Sequence, residues 1–200
     1  ASGTLACLDA ATGRRLWTRQ THRDFAAPEG YFGAGATPLV VGSRVIVNVG
    51  GAKQEAGLVA FDLTSGETVW TAVADAASYS APVAVDVGGR PHVLALTRLA
   101  CVLVDTADGT VRWQFRFGQR GPTVNAATPV VFPAGQLLVT AAYGIGSVSA
   151  RFDAAGATPV WEGIDSLASQ YCTPLVVGGQ LYAIDGRDDL PPAALKCLDP

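Results

Sequence analysis

Apolar residues in this chain come in short runs of three to seven, either alternating with polar residues or unbroken, and nowhere at a sustained helical period. "TPLVV", "SRVIVNV", "LVAFD", "QLLVTAA" and "CVLVD" are such runs, rich in Val and Leu and bounded by Gly, Pro, Asp or Ser. That pattern predicts many short β-strands joined by tight turns, several of them buried on both faces.

The runs are ordered by two markers. Each of the four tryptophans stands eight residues after an aspartate: Asp9 and Trp17, Asp62 and Trp70, Asp105 and Trp113, Asp153 and Trp161. Apolar runs open at Pro38, Pro82, Pro129 and Pro174, and the next Asp follows after 24, 23, 24 and 25 residues. The distance from Trp to the following Pro varies more, at 21, 12 and 16, then 13. Self-similarity at a near-fixed spacing is the mark of a repeat architecture.

Each repeat reads as four strands. The first starts at the Pro, the second follows a turn, the third ends at the Asp and the fourth ends at the Trp. Between the last two, the chain reverses within a segment such as "DLTSG". There an Asp carboxylate can accept from the free N–H groups of the turn, and a closing Gly tolerates positive φ. Gly13, Gly66 and Gly109 hold that place; the fourth unit has Gly156 one residue early, so its turn should differ. Pro159, two residues before Trp161, puts the fourth strand at a sheet edge, since proline cannot serve a central ladder. An indole there is suited to docking on a neighbouring sheet with its N–H on a carbonyl.

Repeated four-stranded antiparallel sheets define an all-β fold, the β-propeller. The expected blade pieces are 1–17, 36–70, 80–113, 127–161 and 172–200. Strand counting predicts an arc of about four blades cut from a larger ring of roughly seven or eight. The lack of any Met in the chain predicts that the natural start lies outside it.

The turn unit A-x-D-x-x-x-G-x-x-x-W resembles the tryptophan-docking repeat of pyrroloquinoline-quinone (PQQ) propellers. With "GYFGAGATPLVVGSRVIVNVGG", "ASYSAPVAV" and "VRWQFRFG", the whole chain looks like the bacterial PQQ-like repeat proteins. These are similar to the propeller lipoprotein of the outer-membrane β-barrel assembly machine. The resemblance implies a periplasmic or cell-envelope location and a non-catalytic scaffold that presents loops to a protein or small ligand. It also carries an alternative, a PQQ-dependent quinoprotein alcohol dehydrogenase with calcium, its cofactor site largely in missing blades. The adjacent Cys pair that holds the quinone in those enzymes is lacking here. All four tryptophans are committed to the repeat, and no cofactor or metal is expected.

Composition narrows the partners. The chain is 49% hydrophobic and 16% charged, with 23 Gly and 12 Pro and a net charge of −3. No basic stripe offers itself to nucleic acid, and no apolar run is long enough to span a membrane. Cys7, Cys101, Cys172 and Cys197 read as small buried hydrophobes, with a disulfide left open. "DGRDD" (185–189) lacks the ligand order of a calcium loop and reads as a solvated connection.

In a propeller, the connection into the first strand and the connection from second to third strand emerge on one face. That places Tyr31, Tyr79, Arg98, Asn125, Tyr143, Gln170, Tyr171 and Arg187 at the channel mouth. Tyr and Arg are typical recognition anchors. The bland reading is that the tyrosines plug the channel while the arginines are solvated.

Overall fold

The computed structural model describes residues 2–30, 32–121, 123–133, 135–187 and 192–199. Its strands form five antiparallel sheets in chain order. The first pairs β1 (Thr4–Leu8) with β2 (Arg15–Gln20). The second runs β3 (Leu39–Val41), β4 (Arg44–Gly51), β5 (Ala56–Asp62) and β6 (Thr68–Ala72). The third holds β7 (Val83–Val87), β8 (Arg90–Leu96), β9 (Ala100–Asp105) and β10 (Val111–Arg116). The fourth holds β11 (Val130–Phe132), β12 (Gln136–Ala141), β13 (Gly146–Phe152) and β14 (Ala157–Gly163). The fifth comprises β15 (Leu175–Val177), β16 (Gln180–Asp185) and β17 (Ala194–Leu198). Within each sheet every strand pairs with its sequence neighbour, so the fourth strand is an outer edge, as Pro159 requires. A single helical turn, α1 (Thr21–Asp24), lies in the long connection after Trp17.

Period-two alternation explains the packing. In the second sheet Ile46, Leu58 and Ala60 point towards Val93, Ala95, Val102 and Val104 of the third sheet. The alternate residues Val45, Val59 and Phe61 point the other way, towards Leu5 and Trp17 of the first. The third sheet repeats this, sending Leu94, Leu96 and Leu103 against Leu137 and Val139 of the fourth. Strands covered on both sides must be apolar at successive positions, hence "LVAF" and "VLAL". The fifth sheet packs Leu181 and Ala183 on Phe132 and Leu138. Its alternate residues Leu175, Val177 and Leu195 are exposed.

The turn chemistry is as the sequence predicts. Asp62 Oδ1 accepts from the N–H of Thr64 (3.0 Å) and Ser65 (2.9 Å). Asp9 accepts from Thr12 N–H at 2.8 Å and Asp105 from Ala107 N–H at 3.0 Å. These hydrogen bonds favour the ionised form and hold the carboxyls of Asp9, Asp62 and Asp105 below the usual carboxylate range; at Asp9 the Thr12 hydroxyl is the largest cause. Gly13, Gly66 and Gly109 take φ of 70°, 74° and 80°, and each returns its N–H to the Asp carbonyl four residues back. The fourth turn is tighter: Asp153 N–H reaches Gly156 O, three residues on rather than five.

Each indole then bridges to the next sheet. Trp17 Nε1 donates to Leu63 O (3.0 Å) and Trp70 Nε1 to Thr106 O (3.0 Å), in each case the residue after the next Asp. Trp113 Nε1 donates to Asp153 O (2.7 Å), one residue earlier, in step with the shortened turn. The ring of Trp17 lies over Gly66 and that of Trp70 over Gly109, so close that an added Cβ would fall 2.6 and 2.9 Å from Cδ2. The glycine therefore serves two ends, closing the hairpin and admitting the neighbour's ring. Trp161 packs on the core shared with the fifth sheet.

Two expectations need correction. The fourth strands run two or three residues past the Trp, because the inward alternation continues from Trp70 to Ala72. And Cys101 alone of the cysteines is buried; Cys172 and Cys197 are exposed and Cys7 is intermediate, all free thiols. One device was not foreseen. In all four units a β-bulge stands immediately before the Trp, at Leu16, Val69, Arg112 and Val160. A bulge adds a residue to one strand and re-aims the side chain that follows.

Candidate binding face on the loop side

The loops into each first strand and those between second and third strands do meet on one side. Arg98 N–H donates to Ala76 O (2.9 Å) and Gly186 N–H to Ala168 O (3.1 Å). Successive entry loops are laced together: Tyr79 N–H donates to Asn125 O at 2.9 Å, and Gln170 Nε2 to Val124 O at 2.7 Å.

The expected face residues divide into two kinds. Asn125 and Gln170 are each 1% exposed, so they do not present side chains to a partner. Asn125 Nδ2 donates to Thr97 O (2.9 Å) and Phe117 O (3.1 Å), and Gln170 Oε1 accepts from Ala142 N–H (2.9 Å). Buried backbone groups outside the ladders need such partners, and the amides supply them. Their place on the loop side is structural support.

The others form two surface clusters. In one, Tyr79 accepts Phe32 N–H on its hydroxyl (2.8 Å) with the rings 5.9 Å apart, and Arg98 Nη2 donates to Gly121 O. In the other, the Arg187 guanidinium sits 4.2 Å from the ring centre of Tyr143, whose hydroxyl is 3.3 Å from that of Tyr171. Gln119 Nε2 donates to Tyr143 O at 2.8 Å. Tyr143 is held at φ +60°, a left-handed conformation unusual for a tyrosine and the kind of strain that collects at functional sites. Tyr171 is 51% exposed. Tyr31 lies outside the described residues.

Several contributors had no sequence signal. Phe32 and Gln119 sit in segments without repeat counterparts. Asp75 binds Thr97 Oγ1 and Leu99 N–H, both at 2.7 Å, and so anchors the loop that carries Arg98. Asp185 is not simply solvated: it accepts from Ala168 N–H (2.7 Å) and pairs with Lys196 (2.7 Å). Asp188 and Asp189 lie outside the described residues.

Among the described residues no group of three or more His, Cys, Asp or Glu is placed to hold a metal ion. The repeat aspartates are already engaged by turn N–H groups.

Blades linked by indoles, with aromatic and cationic loops on one side, define a PQQ-like β-propeller. The chain belongs to the family described as outer membrane protein assembly factor BamB, whose model matches residues 1–199. The crystal structure of BamB from Moraxella catarrhalis is similar at TM-score 0.65 and 24% identity, covering 92% of this chain and 49% of that one. The Pseudomonas aeruginosa PilY1 C-terminal domain is similar at TM-score 0.56 and 15% identity, covering 93% of this chain and 51% of that one. The computationally designed Ika4 protein matches at TM-score 0.52 and 13% identity, over 86% of this chain and 95% of its own. The chain thus spans about half the length of the Moraxella protein. No curated protein sequence matches the chain.

Proposed function

We propose that this chain is a non-catalytic propeller scaffold of the bacterial cell envelope, working in outer-membrane protein assembly and presenting its loop side to a protein partner. The family match carries the reading, since the model spans residues 1–199 and its description is an assembly factor. The division of labour among the residues supports it. Asp, Gly, Trp and the buried amides hold the sheets and loops in place, which leaves Tyr143, Tyr171 and Arg187 as a pre-set aromatic and cationic patch. Rigid aromatics and arginine are the residues from which interface hot spots are built.

The test is made in the bacterium that carries the gene. Tyr143→Ala with Arg187→Ala should lower the level of folded outer-membrane proteins while purified protein keeps its melting temperature within a few degrees. Wild-type levels with the double variant would overturn the reading. Asn125 is unsuited to such a test, because its replacement perturbs the fold itself.

A further inference from the structure

One connection is longer than its counterparts. Pro38 stands 21 positions after Trp17, against 12, 16 and 13 for the same step in the other units. After α1, Phe25 and Ala27 pack into the core beside Val45 and Phe61. The segment then arches over Tyr79. The Tyr79 hydroxyl takes Phe32 N–H, and Gly35 lies so near that an added Cβ would be 2.8 Å from the ring. An insertion into one unit of a repeat, folded back over a neighbour, is where a specific site can be grafted on a common scaffold.

The arch borders a cavity of about 270 Å³ on the loop side, between the end of β4 and the loops that carry Tyr79, Arg98 and Val124. Asn48 lines it and is 4% exposed. Its Nδ2 is engaged by Leu96 O (2.7 Å) and Ser78 Oγ (3.0 Å), but its buried Oδ1 has no partner in the protein. His22 Nδ1, on the same lining, is also buried and unpartnered. A buried acceptor left unmade is destabilising, so an occupant whose donor reaches it is favoured. Arg98 supplies a cation to the lining, and its bond to Gly121 O engages one of five N–H donors. Val124, Tyr79 and Phe32 add apolar wall. The volume falls just under the roughly 300–1,000 Å³ that accommodates drug-sized ligands, so the occupant is small.

Resting on the assignment of the loop side as the binding side, we propose that this cavity binds an N-acyl amino acid group. Its carboxylate would meet Arg98, its amide N–H would meet Asn48 Oδ1, and its apolar side chain would lie against Tyr79 and Val124. The group could arrive as a free small molecule or as the last residue of a polypeptide.

The experiment is an NMR titration of the chain with N-acetyl-L-leucine, with N-acetyl-L-leucinamide as the uncharged control and a five-residue acetylated peptide ending in leucine as the third arm. Expected are saturable shifts confined to Gly33, Asn48, Ala77 and Arg98, and binding weakened about tenfold by the amide or by Arg98→Gln, the loss of one charge-assisted hydrogen bond. Arg98→Lys should recover part of it, and Val124→Phe, which fills the space, should abolish it. A peptide tighter than the free acid identifies a chain terminus as the source; equal affinity identifies a small molecule. Equal binding of acid and amide, shifts spread over the surface, no saturation, or binding untouched by Val124→Phe would each overturn the proposal. Such failure leaves the assembly role standing, because the Tyr143 and Arg187 double variant reads that role at a separate cluster.

Discussion

Gly66 and Gly42 lie in the same sheet at nearly the same kind of backbone position, with φ of 74° and 56°, yet their surroundings differ sharply. An added Cβ at Gly42 meets nothing within 4 Å, whereas at Gly66 it would fall 2.6 Å from Cδ2 and 2.7 Å from Cε3 of Trp17. Alanine at either site bears the left-handed penalty, about 1–2 kcal/mol. Only Gly66→Ala must also displace a docked indole, an overpacking cost of about 1–3 kcal/mol. Gly66→Ala should therefore exceed Gly42→Ala by at least about 1 kcal/mol in chemical denaturation. The excess should vanish in the Trp17→Leu background, because the ring that the methyl strikes is gone. A double-mutant cycle isolates that coupling. If the two alanine variants cost the same within about 0.5 kcal/mol, or the excess persists without Trp17, the glycine serves the turn alone and the docking argument is wrong.

Other consequences are open to measurement. Asn125→Ala strips buried Thr97 O and Phe117 O of their donor and should cost about 2–3 kcal/mol by denaturant melt; a change below about 0.5 kcal/mol would show those carbonyls are otherwise satisfied. Asp105 is held low first by Ala107 N–H and then by Arg112, paired at 2.5 Å. Its contribution is therefore in place above the ordinary carboxyl value of 3.8 and is lost as pH falls through the depressed folded value. Asp105→Asn should flatten the acid limb of the stability curve, and an unchanged limb would place the titration elsewhere. Burial pushes the Cys101 thiol far up, so a thiol reagent should label Cys172 and Cys197 in the native chain and reach Cys101 only on unfolding.

The fold was legible because its key interactions are local and repeated. Asp62 caps N–H groups two and three residues on, and Gly66 closes the same turn, so the spacing is written in consecutive residues. Trp17 and Leu63 are 46 positions apart, but the repeat places both at fixed offsets, which makes a distant contact readable as a pattern. The bulges at Leu16, Val69, Arg112 and Val160 escaped because they depend on strand register and not on residue type. The loop side was half legible. Topology brought Tyr79, Arg98, Tyr143, Tyr171 and Arg187 to it, yet polarity alone could not separate an exposed anchor from a buried support. Asn125 and Gln170 look like recognition residues in sequence and are consumed by backbone groups of neighbouring loops. The cavity at Asn48 had no signature because its roof is a stretch without a repeat counterpart.

Indole-proton exchange gives the most direct test of the sheet-to-sheet docking. Trp70, 7% exposed, donates Nε1–H to Thr106 O of the next sheet. In side-chain NMR this proton, with that of Trp113, should exchange only by opening of the sheets, as slowly as the core amides of β5 and β9. Exchange of both at the rate of a free indole, in a chain whose core amides stay protected, would mean that the rings are not docked.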